Sequence, residues 1–298
     1  MGKSSALLTF TVKNTSTIKH ILKQVRWQAR RASVARRYGS AALRAAPIVF
    51  GNAMPKSGSH LLTQVLEGLT QLGPFVDPGF PPVNRSEGNQ PLSPERVLAN
   101  VRAMRPGDIR YGYIHAREPY LSLFAAPDRA TVFIYRDPRD MLVSHVFYAT
   151  DMYAGHGMHR YYTEVLTTME ERLNAAIEGV TEPGFELSSV SQRYDSYVDW
   201  LDHPEVLCLR FEDLILDRDA ALGRLLDYLE TRGFTAPVPR PQAVATLATG
   251  IAPRKSGTFR KGQPGNWREH FTDANKSRFE AVAGGLLVRL GYEESNDW

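Results

Sequence analysis

The chain has 298 residues, of which 43 % are apolar and 23 % charged, a globular composition that excludes a wholly disordered chain. Its net charge of +4 is unevenly placed: residues 1–66 hold 11 basic residues and no Asp or Glu, so 25 basic and 32 acidic residues remain for positions 67–298. That excludes a nucleic-acid binder with a basic surface throughout. The single cysteine, Cys208, excludes an internal disulfide and a cysteine-based zinc site. It stands in the apolar run Val206-Leu207-Cys208-Leu209, the setting of a buried, inert thiol. No run approaches the ~18 apolar residues of a membrane span. The short stretch Ala6-Leu7-Leu8-Thr9-Phe10-Thr11-Val12 is followed by Lys13 and Asn14, so no secretory signal is expected. These features predict a reducing, cytoplasmic setting.

Residues 1–46 read as a basic extension, and residues 47–298 as the domain. Ile18, Ile21, Leu22, Val25 and Ala29 recur at helical spacing, with Lys19, Lys23, Arg26 and Arg30 mostly off that stripe. Such a helix either lies peripherally on an anionic membrane surface or docks on the protein's own body. The acid-free, Arg- and Ser-containing start also fits an organelle transit peptide.

From Pro47 onward, strand signals alternate with helical ones. Ile48-Val49-Phe50 predicts a strand, the segment Gly51–Ser59 a loop, and residues 60–72 a helix. Residues 73–94 are rich in Pro, Gly, Asn and Ser, which predicts a functional lid or a disordered loop. Tyr111-Gly112-Tyr113-Ile114 and Thr131-Val132-Phe133-Ile134-Tyr135 predict two further strands, and residues 205–211 a fourth. Helical patterns cover about 139–149, 160–178, 188–202, 218–232 and 273–290. The alternation predicts one α/β domain with a central parallel sheet flanked by helices.

Three segments can carry chemistry. In the first, strand, loop and helix at 48–72 form a P-loop-like layout. A helix N-terminus offers unpaired N–H groups and a partial positive charge to an anion. Lys56 adds a full charge, Ser57 and Ser59 add hydroxyls, and Gly58 permits close backbone approach. The second glycine follows the lysine instead of preceding it, so the standard nucleotide-triphosphate loop is not reproduced. In the second segment, Arg136 ends a strand where ligands of open α/β sheets bind. Asp137 and Pro138 suit a helix start, and Ser144 shares the face of that helix. In the third, Arg260-Lys261-Gly262 followed by Gly265 and Trp267 suits an anion clamp. Read alone, each segment also has a structural explanation: a Gly/Ser turn, a surface salt-bridge cluster, and a solvated basic loop.

At these three segments, over about 47–290, the sequence resembles the PAPS-dependent sulfotransferases, the cytosolic type in particular. Pro55-Lys56-Ser57-Gly58-Ser59-His60-Leu61 stands where that family has P-K-S-G-T-T-W. Tyr135, Arg136, Pro138, Asp140 and Ser144 match its strand–helix Y-R-x-P-x-D-x-x-x-S. Arg260-Lys261-Gly262, Gly265, Trp267 and Phe271 match its R-K-G-x-x-G-D-W-K-x-x-F, with Asn266 and Arg268 as departures. The resemblance implies 3′-phosphoadenosine-5′-phosphosulfate (PAPS) as sulfuryl donor and no metal. It assigns the phosphosulfate loop to Lys56, Ser57, Gly58, Ser59 and His60. The 3′-phosphate falls to Arg136, Ser144, Arg260, Lys261 and Gly262. The family's base is a histidine at a strand end, which His115 matches; an ordinary histidine is substantially neutral at pH 7 and accepts a proton. Lys56 then stabilises developing charge. Leu61 replaces a stacking tryptophan, and Phe211 replaces a tyrosine without its hydroxyl.

The expected reaction moves a sulfuryl group to a hydroxyl or amine of a small-molecule, sugar or lipid acceptor. Residues 73–94 and the tyrosine-rich segment 148–163 are the segments placed to shape its site. Two alternatives are a P-loop kinase-like phosphotransferase and a catalytically silent protein held at a membrane surface. The kinase needs an acid after a strand, and Arg136 interrupts the nearest candidate, Val132–Asp137.

Overall fold

The computed structural model describes residues 3–252 and 262–298, with side chains from Lys19 onward. Its centre is β1 (Ile48–Ala53), in which every residue is buried. A continuous apolar strand of this kind belongs inside a parallel sheet covered on both faces. β2 (Ile109–Gly112) pairs in parallel with β1 on one side, and β3 (Arg129–Tyr135) on the other. A small hairpin, β4 (Val180–Glu182) and β5 (Phe185–Leu187), stands apart. β6 (Val206–Arg210) completes the parallel order β2-β1-β3-β6.

Helices fill the crossovers. α1 (Lys3–Tyr38) and α2 (Ser40–Ala45) precede β1, α3 (Ser59–Leu72) follows it, and α4 (Pro94–Arg102) precedes β2. α5 (Tyr120–Phe124) leads into β3 and α6 (Pro138–Phe147) leaves it. α7 (Met169–Glu178) and α8 (Val190–Asp195) flank the hairpin. α9 (Phe211–Leu216), α10 (Arg218–Thr231), α11 (Arg240–Thr249) and α12 (Asp273–Arg289) follow β6. Side chains alternate across the sheet. Val49, Ala53, Val132 and Ile134 pack with α3, α10 and α11 on one face. Ile48, Phe50, Phe133 and Tyr135 pack with α6, α7 and α12 on the other.

Three local features depart from the periodicity of the sequence. The helical run predicted over 160–178 is divided: a π-helical turn covers Tyr161–Val165, and Thr168 starts α7 with a capping box to Glu171. The run over 188–202 divides in the same way, with Ser189 and Gln192 boxing the start of α8 and a 3₁₀ turn over Val198–Asp202. The second strand closes at Gly112 instead of Ile114. Its pattern continues because the Asn52 amide replaces a ladder partner: Nδ2 donates to the Ile114 carbonyl and Oδ1 accepts from Ile114 N–H, both at 2.9 Å.

Residues 73–93 form an ordered irregular edge along β2. Val83 N–H donates to the Tyr111 carbonyl, and Asn84 exchanges two hydrogen bonds with the Tyr113 backbone. α1 docks on this edge. Trp27 is buried and donates to Asp108 at 2.9 Å, Arg31 pairs with Asp108 at 2.7 Å, and Lys23 pairs with Glu87 at 2.6 Å. The predicted stripe residues Ile21, Leu22 and Val25 face away and are 51–62 % exposed. Among the described residues no helix is long and apolar enough to cross a membrane.

Candidate active site

The loop Met54–Gly58 carries the chain from β1 into α3. Gly58 is the N-cap at φ 96, and no side chain caps the helix, so the first-turn N–H groups are offered to an anion. Glycine is required there twice over: the left-handed backbone disfavours a side chain, and a Cβ would come within 2.5 Å of the Phe211 ring. Lys56 also has a positive φ, 67°, a strained state of the kind found where a loop must present a group. Its ammonium lies 3.7 Å over the Tyr148 ring. Burial, and after it the Arg136 charge, pushes the Lys56 ammonium down to about 8.

Arg136 leaves the end of β3 beside this loop. Its guanidinium stacks 4.5 Å over the Phe211 ring, and Nη1 donates to the Lys56 carbonyl at 3.5 Å. Asp137 caps α6 by accepting from Arg139 N–H, with Pro138 in the first turn. Tyr194 donates to the Arg136 carbonyl at 2.8 Å, and Glu212 accepts from Asp137 N–H at 3.1 Å. The strand end is therefore fixed from two sides. Arg139 is structural: it pairs with Asp137 and Glu293 and stacks on Trp267 and Trp298.

Two buried atoms here, Ser57 Oγ and Arg136 Nε, have no hydrogen-bond partner among the described residues. Buried polar groups are normally paired. An anion at the α3 N-terminus, between Lys56 and Arg136, would supply the acceptors this cradle lacks.

A cavity of about 720 Å³ opens at this point. It is lined by Lys56, Gly58, Ser59, His60 and Leu61 of the loop and α3, by Arg136 and Ser144, and by Phe211. Gly262 borders it too, whereas Arg260 and Lys261 lie outside the described residues. Both flanks of the C-terminal loop are tied to the cavity rim. Gln64 on α3 exchanges two hydrogen bonds with the Ala252 backbone. Asp140 on α6 accepts from Gly265 N–H at 2.7 Å and from Trp267 N–H at 2.8 Å. Burial raises the Asp140 carboxyl, and Arg136 at 3.7 Å together with these two bonds counters that only in part.

The sulfotransferase domain family matches residues 49–291, a span that holds the loop, the strand end and both tethers. The chain belongs to the sulfotransferase family. Its chemistry is sulfuryl transfer. The fold agrees with two solved structures. Mouse sulfotransferase SULT7A1 complexed with PAP (the adenosine 3′,5′-bisphosphate product) matches with a TM-score of 0.58 at 15 % identity, over 86 % of this chain and 93 % of that one. Retinol dehydratase in complex with androsterone and PAP matches with a TM-score of 0.52 at 15 % identity, over 82 % and 83 %. No curated protein matches the chain significantly in sequence.

In this sulfotransferase His115 stands apart from the cavity lining. It follows Ile114, whose backbone is held by Asn52 and whose carbonyl also accepts from Trp200 Nε1 at 2.9 Å. Its ring meets the Tyr197 ring edge-on at 5.0 Å. Partial burial, and then Arg117, lowers the His115 imidazole below its usual 6.5, so it is neutral at pH 7. His60 is lowered by burial and by Lys56. The acid sought for a kinase is engaged elsewhere, since Asp137 caps α6 and pairs with Arg139. Among the described residues no cluster of three or more His, Cys, Asp or Glu is placed to hold a metal. Burial pushes the Cys208 thiol up to about 12, which leaves it un-ionised.

The sequence marks Asp140 as a motif match without showing its partners, and marks neither Asn52 nor His145. Asn52 falls in the segment Gly51–Ser59, predicted as a loop, whereas β1 continues through Gly51, Asn52 and Ala53. Gly265 and Trp267, the partners of Asp140, stand 125 and 127 positions away, so the local motif does not show what it binds.

Proposed function

We propose that PAPS is the sulfuryl donor and that a small molecule bearing a hydroxyl or amine is the acceptor. The unpaired Ser57 Oγ and Arg136 Nε beside Lys56, at an uncapped helix N-terminus, carry this reading. Lys56, Ser57, Gly58, Ser59 and His60 hold the phosphosulfate. Arg136 and Ser144 hold the 3′-phosphate, with Gly262 and the neighbouring Arg260 and Lys261. Phe211, between Gly58 and Arg136, lines the cavity on the adenine side. In the reaction the acceptor atom forms a bond to sulfur, the bond from sulfur to the phosphate oxygen breaks, and the bisphosphate leaves with that electron pair. The acceptor proton goes to the neutral imidazole of His115, two residues beyond the cavity-lining Tyr113. Lys56 and the loop N–H groups stabilise the charge on the leaving phosphate, as in other in-line transfers.

Incubation with labelled PAPS and an acceptor panel tests this. Lys56→Ala should lower turnover about 10²–10³-fold, and His115→Ala about 10²–10⁴-fold. Unchanged turnover in His115→Ala would remove it from the base role. A cytoplasmic setting fits the single un-ionised thiol. Peripheral contact with an anionic membrane is favoured by one observation: Ile21, Leu22 and Val25 are exposed beside Lys19 and Arg26 on a docked helix. Equal binding to phosphatidylserine vesicles by the full chain and by Ile21→Ser/Leu22→Ser/Val25→Ser would remove that contact.

A further inference from the structure

The cavity lining has two parts of different chemistry. Its aliphatic and Phe lining, Leu61, Phe211 and Ile215, lies on α3 and α9. A second part of the lining comes from residues 73–93, from the segment after β2, and from α6 with the segment after it, and it adjoins the phosphate loop where Tyr148 meets Lys56 and Tyr113 meets Ser59. There Arg85, Asn89, Tyr113, Tyr148, Tyr153 and His156 line the cavity, and no Leu, Ile, Val, Met or Phe does.

This wall combines ring faces with hydrogen-bonding groups. Tyr148 lies 5.8 Å from Tyr153 and meets His156 edge-on at 5.8 Å. The His156 tautomer is fixed: Nδ1 accepts from Met158 N–H at 3.1 Å, which leaves the hydrogen on Nε2 as a donor. Burial, and then Lys56, keeps this ring neutral. Arg85 makes no ion pair among the described residues and donates only weakly to the Asn89 carbonyl, at 3.4 Å. Behind His156 stands His145, 7 % exposed, whose Nε2 has no partner among the described residues. A buried polar atom of this kind calls for a partner. An apolar acceptor would leave each of these groups unpaired and is therefore disfavoured.

We propose that the acceptor is a polyhydroxylated ring, a glycoside, whose apolar ring face lies on Tyr153 while its hydroxyls pair with His156, Asn89 and Arg85. This rests on the sulfotransferase reading above and names its substrate class. Flat phenols and sterols, which need an apolar wall, are the disfavoured acceptors.

The test is transfer from PAPS to three sets of acceptors: methyl pyranosides with disaccharides, 4-nitrophenol, and androsterone. Binding of adenosine 3′,5′-bisphosphate is measured in parallel. The glycosides should show the highest kcat/KM. Tyr153→Leu and His156→Leu should each raise the glycoside KM about tenfold with kcat and bisphosphate affinity little changed, and His156→Asn should recover part of that loss. A higher kcat/KM for 4-nitrophenol or androsterone than for every glycoside overturns the proposal. So does a glycoside KM unmoved by both leucine variants. If the bisphosphate binds in either case, the sulfotransferase reading stands and only the acceptor class fails.

Discussion

Lys56 is the residue on which the account turns. Its ammonium is lowered to about 8 chiefly by burial, and a bound phosphate favours the charged form. Affinity for adenosine 3′,5′-bisphosphate should therefore be steady while Lys56 is protonated and should weaken as pH rises through about 8. Calorimetric titration between about pH 7 and 9 checks this, and Lys56→Arg, always charged, should flatten the profile. His115 gives the opposite limb. Its imidazole is lowered, so it is already deprotonated at neutral pH. The rate should hold a plateau near pH 7 and fall only below 6.5; a fall centred above pH 7 would point to another base. At this scale much was legible in sequence. Lys56, Gly58, Arg136 and Asp137 stand within a few residues of the strand ends that place them. Tyr148 as the partner of Lys56 was not legible, because 92 positions separate the two in the chain.

At the scale of elements, the cradle depends on tethers more than on the loop itself. Gln64 and Asp140 hold the two flanks of the C-terminal loop to α3 and α6. Asp140→Ala removes two buried acceptors and exposes Arg136 to an uncompensated charge balance. It should weaken bisphosphate binding about tenfold or more while the far-ultraviolet circular dichroism stays native, since the loss is of hydrogen bonds to a charged group. The strand–loop–helix and the start of α6 follow from local chemistry and were predictable. The division at Thr168 was written in its capping box, yet the helical period ran across it and hid the break. The edge formed by residues 73–93 could not be read as ordered. Its partners are backbone groups of β2, and its composition resembles that of an unstructured loop.

For the whole molecule, the basic N-terminal segment proves to be joined to the body through specific contacts. Trp27, Arg31 and Asp108 form one buried cluster between α1 and the start of β2. Trp27→Ala should lower stability by about 3 kcal/mol, seen as a lower Tm and faster proteolysis within α1. Periodicity alone did not mark the docked face of this helix: its most regular apolar stripe is exposed, and the docked face is a tryptophan among cations. That choice is set by an aspartate 81 positions away, which no local pattern contains. The charge asymmetry also gains a structural meaning, since Lys23 and Arg31 neutralise Glu87 and Asp108 of the body.

The central claim is that the β1–α3 cradle binds a 3′-phosphorylated adenine nucleotide. Thermal unfolding with saturating adenosine 3′,5′-bisphosphate tests it most directly, against ATP with Mg²⁺ as the control. At about 100 times Kd the bisphosphate should stabilise the chain by about 2.7 kcal/mol, with a much smaller effect in Arg136→Ala and none from ATP with Mg²⁺. Equal stabilisation by ATP with Mg²⁺, or a full shift retained in Arg136→Ala, would contradict the account.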